Sequence, residues 1–155
     1  FGPVDLLSVT TEAIQSIGGT SPSRSISLSI NSDLVPMVNG NQAALYRAVL
    51  NLLQNAVNYT PTNTPIDVTV AVDPAASPTT LAVRDYGPGI SDADLPRIFE
   101  RFFRAEKSRS RATGGMGLGL SIVDSIVQNH RGTVTAVRGE NTIGMTFTVT
   151  LPLVQ

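Results

Sequence analysis

The chain has 155 residues, 41% hydrophobic and 15% charged, with eleven basic and twelve acidic side chains for a formal net charge of −1. That length buries roughly 70% of the unfolded surface in a single domain, and the near-neutral balance excludes a generally basic surface for nucleic acid or anionic lipid. Cysteine is absent and histidine occurs once, at His130, which excludes thiol catalysis, Cys-ligated zinc, a His-rich metal site and any Ser-His-Asp triad that does without His130. No apolar run approaches ~18 residues, so no segment reads as membrane-spanning, and an opening Phe1 without a signal peptide reads as a piece of a longer protein.

The first expected element is a helix from Asp5 to Ile17. Leu6, Leu7, Val9, Ala13, Ile14 and Ile17 fall at mostly helical spacing, and Gly18-Gly19 stops it. Ser25 to Ile30 alternates strictly, the pattern of a half-buried strand, and Val35 to Val38 is a short strand or a loop. Asn41 to Tyr59 is the clearest helix. Asn41 is a good N-cap, Leu45, Val49, Leu52, Leu53 and Ala56 make one apolar stripe, and Pro61 ends it. Ile66 to Val72 alternates again, Asp73 to Pro78 is a turn, and Leu81-Ala82-Val83 is a strand running into Asp85. Ser91 to Asp94 caps a short helix through Phe99, and the rest up to Gly115 reads as a mobile loop. Gly117 to Asn129 is a second strong helix with Ile122, Val123, Ile126 and Val127 inward, and Thr133–Val137 and Met145–Leu151 are two last strands. This order predicts an α/β sandwich with helices on one face of a mixed sheet.

Three clusters stand out. Asn51, Asn55 and Asn58 share one helix face at i, i+4 and i+7, ending at Tyr59. Asparagine competes with the helix for backbone hydrogen bonds, so the row is either a solvated face or a set of neutral oxygens for a ligand or a hard cation such as Mg²⁺. Asp85-Tyr86-Gly87-Pro88-Gly89-Ile90 is either an ordinary Gly/Pro turn or a carboxylate at a strand end beside backbone that a flat ligand approaches closely. Gly114, Gly115, Gly117 and Gly119 precede the last helix. They form a flexible hinge or turn N–H groups and a helix N-terminus toward an anion; neither the Walker nor the Rossmann pattern fits. Arg97, Arg101, Arg104, Lys107, Arg109 and Arg111 gather six of the eleven cations in one loop, a solvated surface in which one or two arginines are suited to clamping phosphates.

Together these segments resemble the ATP-binding catalytic domain of bacterial sensor histidine kinases, a branch of the gyrase, Hsp90, histidine kinase and MutL superfamily. LNLLQNAVNYTP from Leu50 to Pro61 is similar to the asparagine box, DYGPGI from Asp85 to the first glycine box, IFERFFR from Ile98 to the phenylalanine box, and GMGLGL from Gly115 to the second glycine box. The resemblance implies a Bergerat-type, two-layer sandwich of three helices on a roughly five-stranded mixed sheet. It also implies a mobile ATP lid over about residues 90–116 and one catalytic domain over residues 1–155. By position, Asp85 accepts the adenine amino group, Gly87 and Gly89 let the base seat, and Ile90 lines the site. Asn55 ligates Mg²⁺, Asn51 contacts the phosphates near it, Tyr59 packs beside the nucleotide and Arg104 reaches the phosphate tail. Asn58 belongs to the cofactor-binding set, with the phosphate contact of the usual lysine missing there or supplied by Arg104. Gly115, Gly117, Leu118, Gly119 and Leu120 form the lid hinge and the phosphate-facing helix start. Asn51 and Arg104 are the catalytic candidates.

The sequence departs from the family at Asn58, where many members have lysine, at Tyr86, where asparagine is usual, and at Met116, where a small residue is frequent. His130 in Asn129-His130-Arg131-Gly132 reads as structural, near a helix C-terminus where partial positive charge is favourable. The resemblance thus implies Mg-ATP as cofactor and γ-phosphoryl transfer to a histidine on a dimerisation domain that this chain lacks. It further implies a response regulator downstream, a cytoplasmic setting under a membrane-anchored parent, and a monomeric fragment without membrane or nucleic-acid contacts. An ATPase of the gyrase or Hsp90 type is the first alternative, but those members carry glutamate at the place of Asn51, and a neutral amide is no general base. A serine kinase that inhibits a sigma factor and a degenerate nucleotide-binding scaffold are the others.

Overall fold

A computed structural model describes residues 1–75, 78–103, 119–139 and 143–154. The elements in chain order are β1 (Gly2–Asp5), α1 (Leu6–Thr20), β2 (Ile26–Asn31), β3 (Met37–Gly40), α2 (Gln42–Asn58), β4 (Ile66–Val72) and β5 (Pro78–Arg84). A 3₁₀ turn (Leu95–Arg97), α3 (Gly119–Asn129), β6 (Thr133–Arg138) and β7 (Met145–Pro152) follow. One five-stranded sheet has the order β2-β4-β5-β7-β6, with β2 parallel to β4 and the other neighbours antiparallel. The expected mixed sheet with three helices is therefore present.

Alternation builds the two layers. Ile66, Val68 and Val70 on β4, Leu81 and Val83 on β5, and Met145, Phe147, Val149 and Leu151 on β7 are all buried. Period-2 spacing puts them on one face of the sheet. Against it lie Leu6, Val9, Ala13 and Ile17 of α1, Leu45, Val49, Leu52, Leu53 and Ala56 of α2, and Val123 and Val127 of α3. The α2 stripe read from the sequence is thus the centre of the core, and Asn41 caps α2 as expected, accepting from the Ala44 N–H at 2.9 Å. Thr79 also faces inward, fully buried, and its hydroxyl has no hydrogen-bond partner among the described residues. A buried unpaired hydroxyl costs about 1–3 kcal/mol. Thr79→Val, nearly the same shape, is therefore expected to stabilise the fold by ~1 kcal/mol in urea unfolding, and a loss of stability would contradict that.

Four local expectations change. Gly18-Gly19 does not stop α1, which runs to Thr20; the Ser21 N–H donates to Ile17 O at 2.7 Å and holds the last turn closed through both glycines. β1 has too few residues to show a period. It pairs antiparallel with β3 in a separate two-stranded sheet, so the Val35–Val38 segment forms a strand shifted to Met37–Gly40 and outside the main sheet. In α3 Val123 and Val127 are buried and half-buried Ile126 packs against the core, as expected, whereas Ile122 is only half-buried. The short helix expected through Phe99 is only the 3₁₀ turn Leu95–Arg97, in a segment whose apolar side chains pack inward while Ser91–Ala93 and Glu100–Phe102 are exposed. Ile98 is buried, Ile90, Leu95, Phe99 and Phe103 pack on the core, and Phe99 meets Phe147 edge to face with centroids 6.3 Å apart.

Candidate functional site

α2 carries the asparagine row at its C-terminal half, with Asn51 and Asn55 half-buried and Asn58 exposed at the end. Tyr59 closes the helix, donating its N–H to Asn55 O at 3.2 Å, and is itself half-buried. The next residue, Thr60, is buried, and its hydroxyl donates to Ala56 O at 2.6 Å. That bond fixes the Thr60 rotamer, and its methyl lies under Gly87. A Cβ at Gly87 would stand 2.6 Å from Thr60 Cγ2 and 3.0 Å from Tyr59 O. Only glycine lets the turn after β5 approach the end of α2 this closely. This contact joins the first two clusters, which lie far apart in sequence.

Asp85 sits at the end of β5 and is only 6% exposed. Its Oδ1 accepts from the N–H groups of Gly87 at 3.2 Å and Met145 at 3.1 Å, and its own N–H donates to Met145 O at 2.9 Å. Both hydrogen bonds to the carboxylate among the described residues reach Oδ1, and Oδ2 accepts none from them. Burial pushes the Asp85 carboxyl above the ordinary carboxylate range, against the pull of the two N–H groups, Arg24 and Arg84. Gly89 and Ile90 follow, half-buried, with Ile90 packed on the core.

Gly144 closes the far side. Its N–H donates to Gly87 O at 2.8 Å, it has φ +71°, and a Cβ there would overlap the Asp85 carbonyl oxygen. Gly144→Ala is expected to cost at least about 1 kcal/mol from the left-handed φ alone, with the overlap adding more. It should also pull Met145 N–H off Asp85, so thermal stability and ligand affinity fall together. A variant as stable as the parent chain would contradict this.

Gly119 and Leu120 form the first turn of α3, which packs beside α2, and Leu120 rests on the core. Arg104, Gly115, Met116, Gly117 and Leu118 lie outside the described residues. Tyr86 turns to β4. Its hydroxyl donates to Asp67 Oδ2 at 2.6 Å, Ser27 donates to Oδ1 of the same carboxylate at 2.8 Å, and the Arg84 guanidinium stands 4.7 Å from the Tyr86 ring centre. The residue that departs from the family pattern is thus committed to the sheet. His130 is buried, with Nδ1 2.7 Å from Ile126 O and Nε2 accepting from the Asn41 N–H at 3.0 Å. One nitrogen donates and the other accepts, so the neutral ring ties the end of α3 to the start of α2. The structural role stands, although the ring works by joining two helices rather than by carrying charge at a helix end.

Sequence reasoning gave no role to Thr60, Gly144, Met145 or Arg24. The Thr60 and Gly144 positions carried weak signals, a threonine at a helix end and a glycine in a turn. Nothing local marks Arg24.

The donor set fits a magnesium nucleotide. Asp85 Oδ2 suits an exocyclic amine, side-chain-free Gly87 suits a flat base, and the half-exposed carboxamide of Asn55 is a hard neutral oxygen. Mg²⁺ commonly takes one or two protein oxygens and completes its shell with phosphate and water.

The family described as histidine kinase-, DNA gyrase B-, and HSP90-like ATPase matches residues 40–155. The sensor-like histidine kinase SenX3 of Mycolicibacterium smegmatis is 38% identical over 149 residues, covering 96% of this chain and 38% of that protein. The chain thus spans well under half the length of such curated relatives. The mycobacterial sensor histidine kinase MprB superposes with a TM-score of 0.87 at 30% identity, covering 97% of each chain. Full-length ShkA, solved in complex with AMPPNP, superposes with a TM-score of 0.82 at 25% identity, covering 99% of this chain and 31% of that one.

Proposed function

The chain belongs to the histidine kinase-, DNA gyrase B-, and HSP90-like ATPase family, and from that premise we propose that it is the ATP-binding catalytic domain of a sensor histidine kinase. It binds Mg-ATP and presents the γ-phosphoryl group to a histidine on a dimerisation domain of the same protein. The likenesses to SenX3 and MprB favour the kinase branch, and the AMPPNP bound by ShkA favours an adenine nucleotide.

The buried Asp85 carboxylate carries the proposal. Its Oδ1 is held by two N–H groups while Oδ2 takes no hydrogen bond from the described residues. It accepts the 6-amino group, and Gly87, resting on Thr60, leaves room for the base plane. Asn51 and Asn55 turn neutral oxygens and amides toward the phosphates from the same helix. Bound through Asn55, Mg²⁺ supplies charge neutralisation on the phosphate chain. Gly119 and Leu120 lend backbone N–H groups at the start of α3, and phosphate contacts are assigned as well to Arg104, Gly115, Gly117 and Leu118, which lie outside the described residues. Asn51 cannot take a proton from water as glutamate does. The site therefore positions ATP for an outside nucleophile instead of hydrolysing it, as phosphoryl transfer by alignment requires.

Residues 1–155 form one catalytic domain in this proposal. No helix among the described residues is long and apolar enough to cross a membrane, and the domain works on the side where ATP is available. Its partners are the acceptor domain and a response regulator. The test is incubation with γ-labelled Mg-ATP, with and without the acceptor-histidine domain of the parent protein. Acid-labile label on that domain is expected; rapid phosphate release by the chain alone would overturn the proposal in favour of an ATPase.

A further inference from the structure

Arg24 lies on the connection between α1 and β2, outside every motif named above, and is 9% exposed. Its Nη1 donates to Val57 O at 3.3 Å and Thr60 O at 3.1 Å. Its Nη2 donates to the Thr60 hydroxyl at 2.6 Å and Thr64 O at 3.2 Å. These acceptors include carbonyls that the end of α2 leaves unpaired, where a cation is favoured. A planar fork of donors reaches four such acceptors at once, which an ammonium group on a flexible stem cannot do.

We infer that Arg24 is a positioning residue for adenine recognition, fixing Thr60 beneath Gly87. The inference rests on the nucleotide-binding proposal and names a residue that the proposal does not require. The Thr60 hydroxyl is clasped from both sides, by Arg24 as donor and Ala56 O as acceptor. Its methyl therefore has one position, the one that supports Gly87. The charge acts on the same turn. Among the described residues, Arg24 from the α1–β2 connection and Arg84 on β5 are the charged groups that favour the Asp85 carboxylate, beside the N–H groups of Gly87 and Met145. Burial opposes all four. A neutral Asp85 would offer a hydroxyl where the amine needs an acceptor.

The experiment measures ADP affinity by calorimetry from pH 4.5 to 8 for the chain, Arg24→Gln and Arg24→Lys. Differences between variants cancel the titration of the nucleotide itself. Arg24→Gln keeps an amide donor and loses the charge, so its acid limb should move to higher pH and its affinity at pH 7 should fall about 10-fold. Arg24→Lys keeps the charge and loses the fork. Its acid limb should stay within a few tenths of a unit while affinity falls about 5-fold at every pH. An unmoved acid limb in a folded Arg24→Gln overturns the inference, because a merely structural arginine weakens binding equally at all pH. If Arg24→Gln does not fold, Arg24→Lys decides, and undiminished affinity in it overturns the inference. No ADP binding by the unaltered chain would instead overturn the nucleotide-binding proposal itself.

Discussion

Asp85→Asn is expected to weaken ADP binding at least about 100-fold, ~2.7 kcal/mol, and at the same time to raise the melting temperature at pH 7. The binding loss follows from the two N–H groups that point at Oδ1. An asparagine must turn its oxygen to them, which puts its NH₂ where Oδ2 stood. A donor then faces the donating 6-amino group, and a buried unpaired pair costs far more than a lost contact. The same geometry suits an acceptor, so the preference for ADP over the 6-oxo nucleotide IDP should narrow. The stability gain has the opposite origin. Burial raises the folded-state pKa of Asp85, so its contribution to stability is full below the unfolded pKa and is lost as pH rises through the folded one. Asparagine has no such loss, so the variant leads at pH 7 and the lead closes as the solution approaches pH ~4. Calorimetry and thermal melts test both parts. Unchanged ADP affinity would remove Asp85 from the base site.

If Asn55 holds Mg²⁺ as proposed, Asn55→Ala is expected to cut phosphoryl transfer at least about 100-fold, because the metal would lose its protein oxygen. The fold should not suffer. Asn55 is half-buried in the last turn of α2, and alanine is the better helix former by a few tenths of a kcal/mol. Metal-free ADP, held at Asp85, should bind as before. The signature is therefore a loss confined to metal-dependent binding and transfer, read by titrating ADP with and without Mg²⁺. Equal losses in both would place Asn55 at the base rather than at the metal.

How much of this was legible beforehand differs by residue. The α2 stripe, its Asn41 cap and the alternation of β4 are written in local spacing, because a helix and a strand each impose one period on what they bury. The asparagine row and the Asp85 turn were visible as patterns, yet each alone had an ordinary alternative. β1 was not visible, since four residues cannot display a period and its partner β3 lies on the far side of α1. The packing of residues 90–103 was hidden for a related reason. Scattered Ile90, Leu95, Ile98, Phe99 and Phe103 follow no single period, and only the assembled core, where Phe99 meets Phe147 of β7, gathers them.

By itself the sequence determined the element types, the inward stripe of α2 and the residue chemistries available: neutral amides in a row, one carboxylate at a strand end, glycines before a helix. Tertiary structure decided which of these meet. It set Gly87 on Thr60, turned Tyr86 away to Asp67, aimed Met145 N–H at Asp85 and brought Arg24 from a distant loop to the same turn. Periodicity reports only what one element does with its own two faces. The neighbour that a carboxylate or guanidinium finds after burial depends on how separate elements pack, and that information is spread over the whole core.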